Sequence, residues 1–316
     1  MMKKINDIIG DAKTIGIAGH LRPDGDCMGS CMSLYNYLKK NRPDLDVRVF
    51  LEFVDKKFNI IENTDQIITT GYDGTKFDLF ISLDTASLDR LGLNLPFYEN
   101  AKRTACIDHH ASNDGYADYN YILPKASSAS EVLYDLLDED LIDKSIAEPM
   151  YMGIAHDSGV FRFQSTTPKT MRIAANMIEK GVNVNMILEE TFFRKTYNQM
   201  MVTAKIQSEA VLALDGKCIY GYCTSVMMEE YGVTTKDLDA VVASIRNVDG
   251  VEVAMFLYQL SEDSYKVSLR SKNYVDVSKI AVENGGGGHV RAAGAEIHGE
   301  LNDIINKLLN RIKQDI

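Results

Sequence analysis

T-I-G-I-A-G-H-L-R-P-D-G-D, residues 14–26, carries the decisive pattern. Thr14–Ala18 reads as a short buried strand that delivers His20 at its end. Met28–Lys40 follows as a helix, with Gly29, Ser30 and Ser33 near its start for close packing. The same alternation continues downstream. Val47–Phe50, Leu79–Leu83 and Thr104–Ile107 read as further strands, the last two ending at Asp84 and at Asp108-His109-His110. Ala129–Leu137 and Ile146–Ala155 read as helices, the second running into His156-Asp157-Ser158-Gly159, and Pro168–Lys180 as another with a Gly181 stop. Strands alternating with helices predict an α/β fold on a mainly parallel sheet, with candidate ligands gathered where strands finish.

Asn185–Leu214 holds a long helical pattern, read as a connector between domains, and an extra core helix is the competing reading. Beyond it, Cys218–Cys223, Val251–Leu260, Tyr265–Arg270 and Ala292–Ile297 read as strands. Leu238–Val248, Val277–Glu283 and a terminal segment from Leu301 read as helices. The expected organisation is an N-terminal catalytic domain over 1–190, a helical linker over 191–215 and a smaller C-terminal α/β domain over 216–316.

The chain of 316 residues has 45% hydrophobic and 25% charged residues, as a globular protein does, and no apolar run of about 20 residues to span a membrane. Its N-terminus mixes Lys, Asn and Asp with isolated isoleucines, unlike a signal peptide. Five cysteines without CxxC spacing predict reduced, mostly buried thiols and a cytoplasmic location; Cys27 and Cys31 share a helix face, but such a pair alone makes a poor metal site. A net charge of −11 argues against long nucleic acid, which needs a basic face, yet leaves room for a small anionic substrate held by local cations.

The chemistry lies in four clusters: G-H-L-R-P-D-G-D at 19–26, I-S-L-D-T at 81–85, I-D-H-H at 107–110 and G-I-A-H-D-S-G at 153–159. Each alone has an ordinary explanation as a turn, a cap or a loop. Together they would place His20, Asp24, Asp26, Asp84, Asp108, His109, His110 and Asp157 in one pocket, where bare carboxylates are costly. Divalent cations remove that cost, so the set predicts a dinuclear metal site of the kind that hydrolyses phosphoesters. Near the C-terminus, Gly285-Gly286-Gly287-Gly288-His289 precedes Arg291 and the small residues Ala292, Ala293 and Gly294. Glycines let backbone N–H groups approach phosphate, and Arg270, His289 and Arg291 are candidate cations beside them. The spacing matches neither a Rossmann fingerprint nor a P-loop. Tyr116, Tyr119 and Tyr121 either stack on a base or cover a core.

These clusters, in this order, resemble the DHH phosphoesterase superfamily, and the Gly-rich H-V-R-A-A-G stretch resembles its DHH-associated C-terminal domain. The likeness covers nearly the whole chain, and the compact length looks like the NrnA-type nanoRNases, which also dephosphorylate 3′-phosphoadenosine 5′-phosphate. The resemblance implies that His20, Asp24 and Asp84 bind one metal and that Asp26, Asp84, His109 and Asp157 bind the other, Asp84 bridging. It implies that His110 touches the scissile phosphate and that Asp108 orients a ligand histidine. It assigns Arg270, His289 and the Gly286–Gly288 backbone, with Arg291 beside them, to the substrate's terminal phosphate or nucleotide. The oxygen-rich ligand set suits Mn²⁺, with Mg²⁺ or Co²⁺ able to substitute.

The expected reaction is in-line attack by a hydroxide shared between two metals. The expected substrates are short RNA oligonucleotides, linear dinucleotides such as pApA, and 3′-phosphoadenosine 5′-phosphate; a homodimer fits the family. The competing readings are inorganic pyrophosphate cleavage, and a nucleotide-binding sensor without turnover.

Overall fold

Ile15, Ile17, Ile81, Leu83 and Ile107 are fully buried, and the strands that carry them form the middle of a parallel sheet. The computed structural model describes residues 4–238 and 241–316. The chain divides between Arg194 and Lys195 into two units.

In the first unit β1 (Thr14–Ala18), β2 (Asp46–Phe50), β3 (Ile67–Ile68), β4 (Leu79–Leu83), β5 (Thr104–Asp108) and β6 (Tyr119–Ile122) pair in the order β3-β2-β1-β4-β5-β6, every pair parallel. Strand order reverses between β1 and β4, and a crevice opens beyond the carboxyl ends of strands at such a switch point. His20 and Asp84 follow those two strands.

The unit's helices are α1 (Ile5–Ile9), α2 (Gly25–Asn41), α3 (Leu95–Glu99), α4 (Ala129–Leu136), α5 (Lys144–Asp157), α6 (Pro168–Glu179) and α7 (Val184–Leu188). Met28 and Met32 of α2, Leu133 of α4, and Met150 and Ile154 of α5 bury one face of the sheet with Ile15, Ile17 and Ile81. The other face carries Phe50, Phe77, Phe80 and Phe97, with the Phe50 and Phe97 rings 4.4 Å apart.

The expected elements are present within a few residues, and the departures have local causes. Helix α2 starts at Gly25 rather than Met28, because the Asp24 carboxylate accepts from the Asp26 and Cys27 amides and caps it three residues earlier. Strands β3 and β6 were not expected. The first is two residues long, and the second, Y-N-Y-I, is only partly buried at a sheet edge, so neither shows an apolar run.

The long helical pattern over Asn185–Leu214 is interrupted. After α7 comes a π-helical turn, Glu189–Phe193, then extended backbone at Arg194, then α8 (Tyr197–Glu209) and a strand, β7 (Val211–Ala213). Thr196 opens α8 with a capping box: its hydroxyl accepts from the Gln199 amide while the Gln199 side chain accepts from the Thr196 amide. Helix α8 then buries Val202 and Ile206 against Ile219, Val242 and Ile245 of the second unit. It packs as a core helix there.

The second unit adds β8 (Cys218–Cys223), α9 (Ser225–Tyr231), α10 (Val241–Arg246), β9 (Val253–Ser261), β10 (Ser264–Ser271), α11 (Val277–Glu283), β11 (Gly287–His289), β12 (Ala292–His298) and α12 (Leu301–Ile312). The sheet runs β11-β12-β10-β9-β8-β7, parallel only between β8 and β9. Helices α8 and α10 cover one face, α11 and α12 the other. Of the helix expected over Leu238–Val248, Asp239 and Ala240 lie outside the described residues and α10 is the part described. The glycine run is partly a strand, since Gly287–His289 pairs with Ala292–Gly294 as a sheet edge.

Candidate active site

Four chain segments separated by up to 137 residues converge at the β1–β4 switch point: His20 after β1, Asp24 and Asp26 at the start of α2, Asp84 after β4, Asp108-His109-His110 after β5, and Asp157 at the end of α5. Asp84 stands between two histidines. Its Oδ2 lies 3.4 Å from His20 Nε2, and its Oδ1 lies 3.5 Å from His109 Nε2. His20 Nε2 also faces Asp24 Oδ1 at 3.8 Å. His109 Nε2 faces Asp157 Oδ2 at 3.1 Å and Asp26 Oδ2 at 4.0 Å. The backbone of Asp84 is left-handed, with φ 51°, an uncommon conformation for a residue with a side chain and one that clusters at functional sites.

Capping and close packing hold these groups. Asp24 caps α2 with the same Oδ1 that faces His20. Asp26, fully buried, accepts from the Ala129 and Ser130 amides at the start of α4, at 2.6 and 3.0 Å. A helix N-terminus thus fixes a carboxylate more than a hundred residues away in sequence. Gly153 makes room: a β-carbon there would lie 2.1 Å from Ser130 Oγ and 2.7 Å from Asp26 Oδ1.

Without cations the cluster is electrostatically unbalanced. Burial, with the charge of Asp84, pushes Asp26 up to about 7, and burial with the charge of Asp26 pushes Asp157 well above the carboxylate range. Burial opposes protonation of His109, yet Asp84, Asp157 and Asp26 hold it up to about 10. Crowded, mutually repelling carboxylates with imidazole nitrogens between them form a donor set that divalent cations fit.

Asp108 pairs with His110, whose Nδ1 donates to Asp108 Oδ1 at 2.8 Å. Asn113 donates to the other oxygen, Asp108 Oδ2, at 2.7 Å and to the Thr85 carbonyl at 3.1 Å. His110 Nδ1 also lies 3.7 Å from Asp84 Oδ1. Tyr116, a candidate for base stacking, instead donates its hydroxyl to the Thr85 carbonyl. Tyr119 and Tyr121 belong to β6.

Sequence reasoning passed over Asn113, Ser128 and Ser130. The signal for the serines is S-A-S-E at 128–131: the Ser128 hydroxyl accepts from the Glu131 amide and sets the helix end that grips Asp26. Asn113 left no local signal. His156, inside the fourth cluster, turns away from the carboxylates to bond Thr191 Oγ1 and to pack on Phe58 and Phe192, and burial holds it down at about 4.

In the second unit Arg270 and His289 are both in register with Ala292, one strand to each side. Cross-strand partners share a sheet face, so the two side chains flank a methyl group, roughly 10 Å apart at two strand spacings. Gly287 and Gly288 extend the same edge. Arg291 is engaged otherwise. Its guanidinium donates to the Val275 carbonyl at 2.7 Å and to the Asn273 carbonyl, while the buried Glu252 carboxylate accepts from the Asn273, Tyr274 and Val275 amides. Arg291 and Glu252 thereby brace one turn from opposite ends.

The sequence model of the DHH family N-terminal domain matches residues 14–154, and that of the DHHA1 domain matches residues 215–315. The bifunctional oligoribonuclease and PAP phosphatase NrnA of Thermus thermophilus is 31% identical over 313 residues, covering 96% of this chain and 90% of that protein. The chain belongs to the DHH family. The NrnA protein of Bacillus subtilis, of the same description, is 27% identical and covers 90% of each chain. An exopolyphosphatase-related protein from Bacteroides fragilis shares the fold, with a TM-score of 0.88 at 23% identity, 96% of this chain and 94% of that one. The DHH match runs from β1 to the last turn of α5 and so spans every strand of the first sheet. Among the described residues, no helix is long and apolar enough to cross a membrane.

Proposed function

We propose that this DHH-family chain is a metal-dependent phosphoesterase that hydrolyses very short RNAs and linear dinucleotides to mononucleotides, and 3′-phosphoadenosine 5′-phosphate to AMP. One observation carries the reading: a single carboxylate, Asp84, presents one oxygen to His20 and the other to His109. That geometry supports the reading of two neighbouring cation positions, His20–Asp24–Asp84 and Asp26–Asp84–His109–Asp157, with Asp84 common to both. The printed descriptions of the relatives, oligoribonuclease and PAP phosphatase, support the substrate class.

Two divalent ions there, Mn²⁺ before Mg²⁺ or Co²⁺, would generate the nucleophile from water near neutral pH and neutralise charge on the phosphate. The chain's own residues do the rest. His110, its Nδ1–H held by Asp108, turns Nε2 to a non-bridging phosphate oxygen, and Asn113 keeps Asp108 in place. Arg270, His289 and the Gly286–Gly288 backbone offer the second unit's own edge for a phosphate or nucleotide, and Ala292 between the two side chains leaves space for it. Arg291 supports that surface through the Asn273–Val275 turn. The net charge of −11 suits a small anion gripped by local cations and disfavours long RNA. Five unpaired, buried thiols suit a cytoplasmic protein.

The test is a substrate panel with the purified chain and Mn²⁺: pyrophosphate, pApA, 3′-phosphoadenosine 5′-phosphate and longer RNA. Turnover of pApA and 3′-phosphoadenosine 5′-phosphate that EDTA abolishes and Mn²⁺ restores is the expected result. A strong preference for pyrophosphate overturns it.

A further inference from the structure

Cys27 stands inside the cluster rather than beside it. One donor atom each of His20, Cys27 and Asp84 lie within 4.8 Å of one another, and all three residues are buried. The thiol is fully buried, 3.9 Å from the His20 carbonyl oxygen. It reaches that place because residue 19 is glycine: a β-carbon there would lie 2.2 Å from Cys27 Sγ. The Cys27 amide donates to Asp24 Oδ1 at 3.1 Å, so thiol and carboxylate belong to the same first turn of α2. Hard ions such as Mn²⁺ and Mg²⁺ gain little from sulfur, whereas Zn²⁺ and Cd²⁺ prefer it in a four-coordinate shell.

We propose that Cys27 is a metal-selecting residue: it gives soft divalent ions a sulfur ligand beside His20 and Asp84. The inference rests on the reading of His20, Asp24 and Asp84 as a cation position. On binding, the S–H bond breaks, a sulfur–metal bond forms and the proton leaves to solvent. Imidazole, carboxylate and thiolate then supply three ligands, with the sulfur among them favouring a soft ion. Mn²⁺ holds to the oxygens and imidazole instead. The chain thus distinguishes soft ions from hard ones by a single side chain.

Cadmium titration of the metal-free, full-length chain tests this through the ultraviolet thiolate-to-cadmium charge-transfer band, with Mn²⁺ binding followed in parallel by electron paramagnetic resonance. The band is expected in the wild type and in Cys31→Ala, and is lost in Cys27→Ser and Cys27→Ala while both still bind Mn²⁺. A wild type that binds Mn²⁺ but shows no band overturns the inference alone, as does a band that persists in both Cys27 variants. Loss of the band together with Mn²⁺ binding in both variants also overturns it, because the site has then collapsed rather than lost one ligand. A wild type that binds neither ion overturns the cation site itself.

Discussion

Asp108 Oδ1 lies 2.8 Å from His110 Nδ1. Burial works against charge on Asp108, yet the His110 partner holds its carboxyl below the usual range, so the pair is an ionised carboxylate fixing an imidazole N–H. Its other oxygen is held by Asn113 at 2.7 Å, so the imidazole ring is fixed by a chain of three residues. Asp108→Asn is expected to lower kcat for pApA by roughly 10–100-fold, the range for partners that orient a working histidine, with Mn²⁺ affinity little changed. Steady-state kinetics beside a Mn²⁺ titration separates the two. Loss of Mn²⁺ binding equal to the loss of rate would show Asp108 to be a ligand instead.

Asp84→Asn removes a negative charge shared by both proposed cation positions and is expected to cost more than that range, with turnover falling to background. Retained hydrolysis by the purified variant would remove the central argument for paired cations.

Stability and activity should part company at Asp157. Its half-buried carboxylate lies near Asp26 and Asp84 and sits at the negative end of α5. Asp157→Asn is therefore expected to raise the melting temperature of the metal-free protein while abolishing the stabilisation that Mn²⁺ gives the wild type. That stabilisation is about 2.7 kcal/mol at a hundred times Kd. Thermal unfolding with EDTA and with Mn²⁺ reads both effects. A variant less stable than the wild type in EDTA would contradict the repulsion.

Gly153→Ala places a methyl group 2.7 Å from Asp26 Oδ1 and 2.1 Å from Ser130 Oγ. Overpacking of this kind costs about 1–3 kcal/mol, and here the strained neighbour is a candidate ligand. Weaker Mn²⁺ binding is expected along with the lower stability. A valine or leucine core truncation of equal cost, which leaves Mn²⁺ binding intact, is the control.

Acid should loosen the second unit through Glu252. Burial opposes its ionisation, but the Tyr274, Val275 and Asn273 amides hold its carboxyl below the usual range. A folded-state value below the unfolded one means that the contribution is complete above the ordinary glutamate range. It declines as pH falls through that range and is gone below the folded value. Glu252→Gln, which leaves backbone donors poorly matched, is expected to cost about 1–3 kcal/mol at neutral pH. The gap from the wild type should narrow in acid urea titrations. A gap independent of pH would assign the loss to packing.

What the chain's own residues dictate locally was legible from the sequence. Apolar runs marked β1, β4 and β5 because a strand buried on both faces cannot carry polar residues, and the candidate ligands were legible as polar residues pinned to the ends of those runs. Edge strands β3 and β6 were not, since they are short or half exposed. The helix break at Arg194–Thr196 was hidden because apolar periodicity continues across it, and only the Thr196–Gln199 capping box marks the restart. Tertiary structure alone decided which oxygen of Asp84 faces which histidine, that Asp108 serves His110, that the start of α4 grips Asp26, and that Cys27 lies beside His20 and Asp84. The physical reason is the same in each case. Residue type and spacing set local backbone and burial, whereas the aim of a side chain across 50 or 100 residues of chain depends on how helices and strands finally pack.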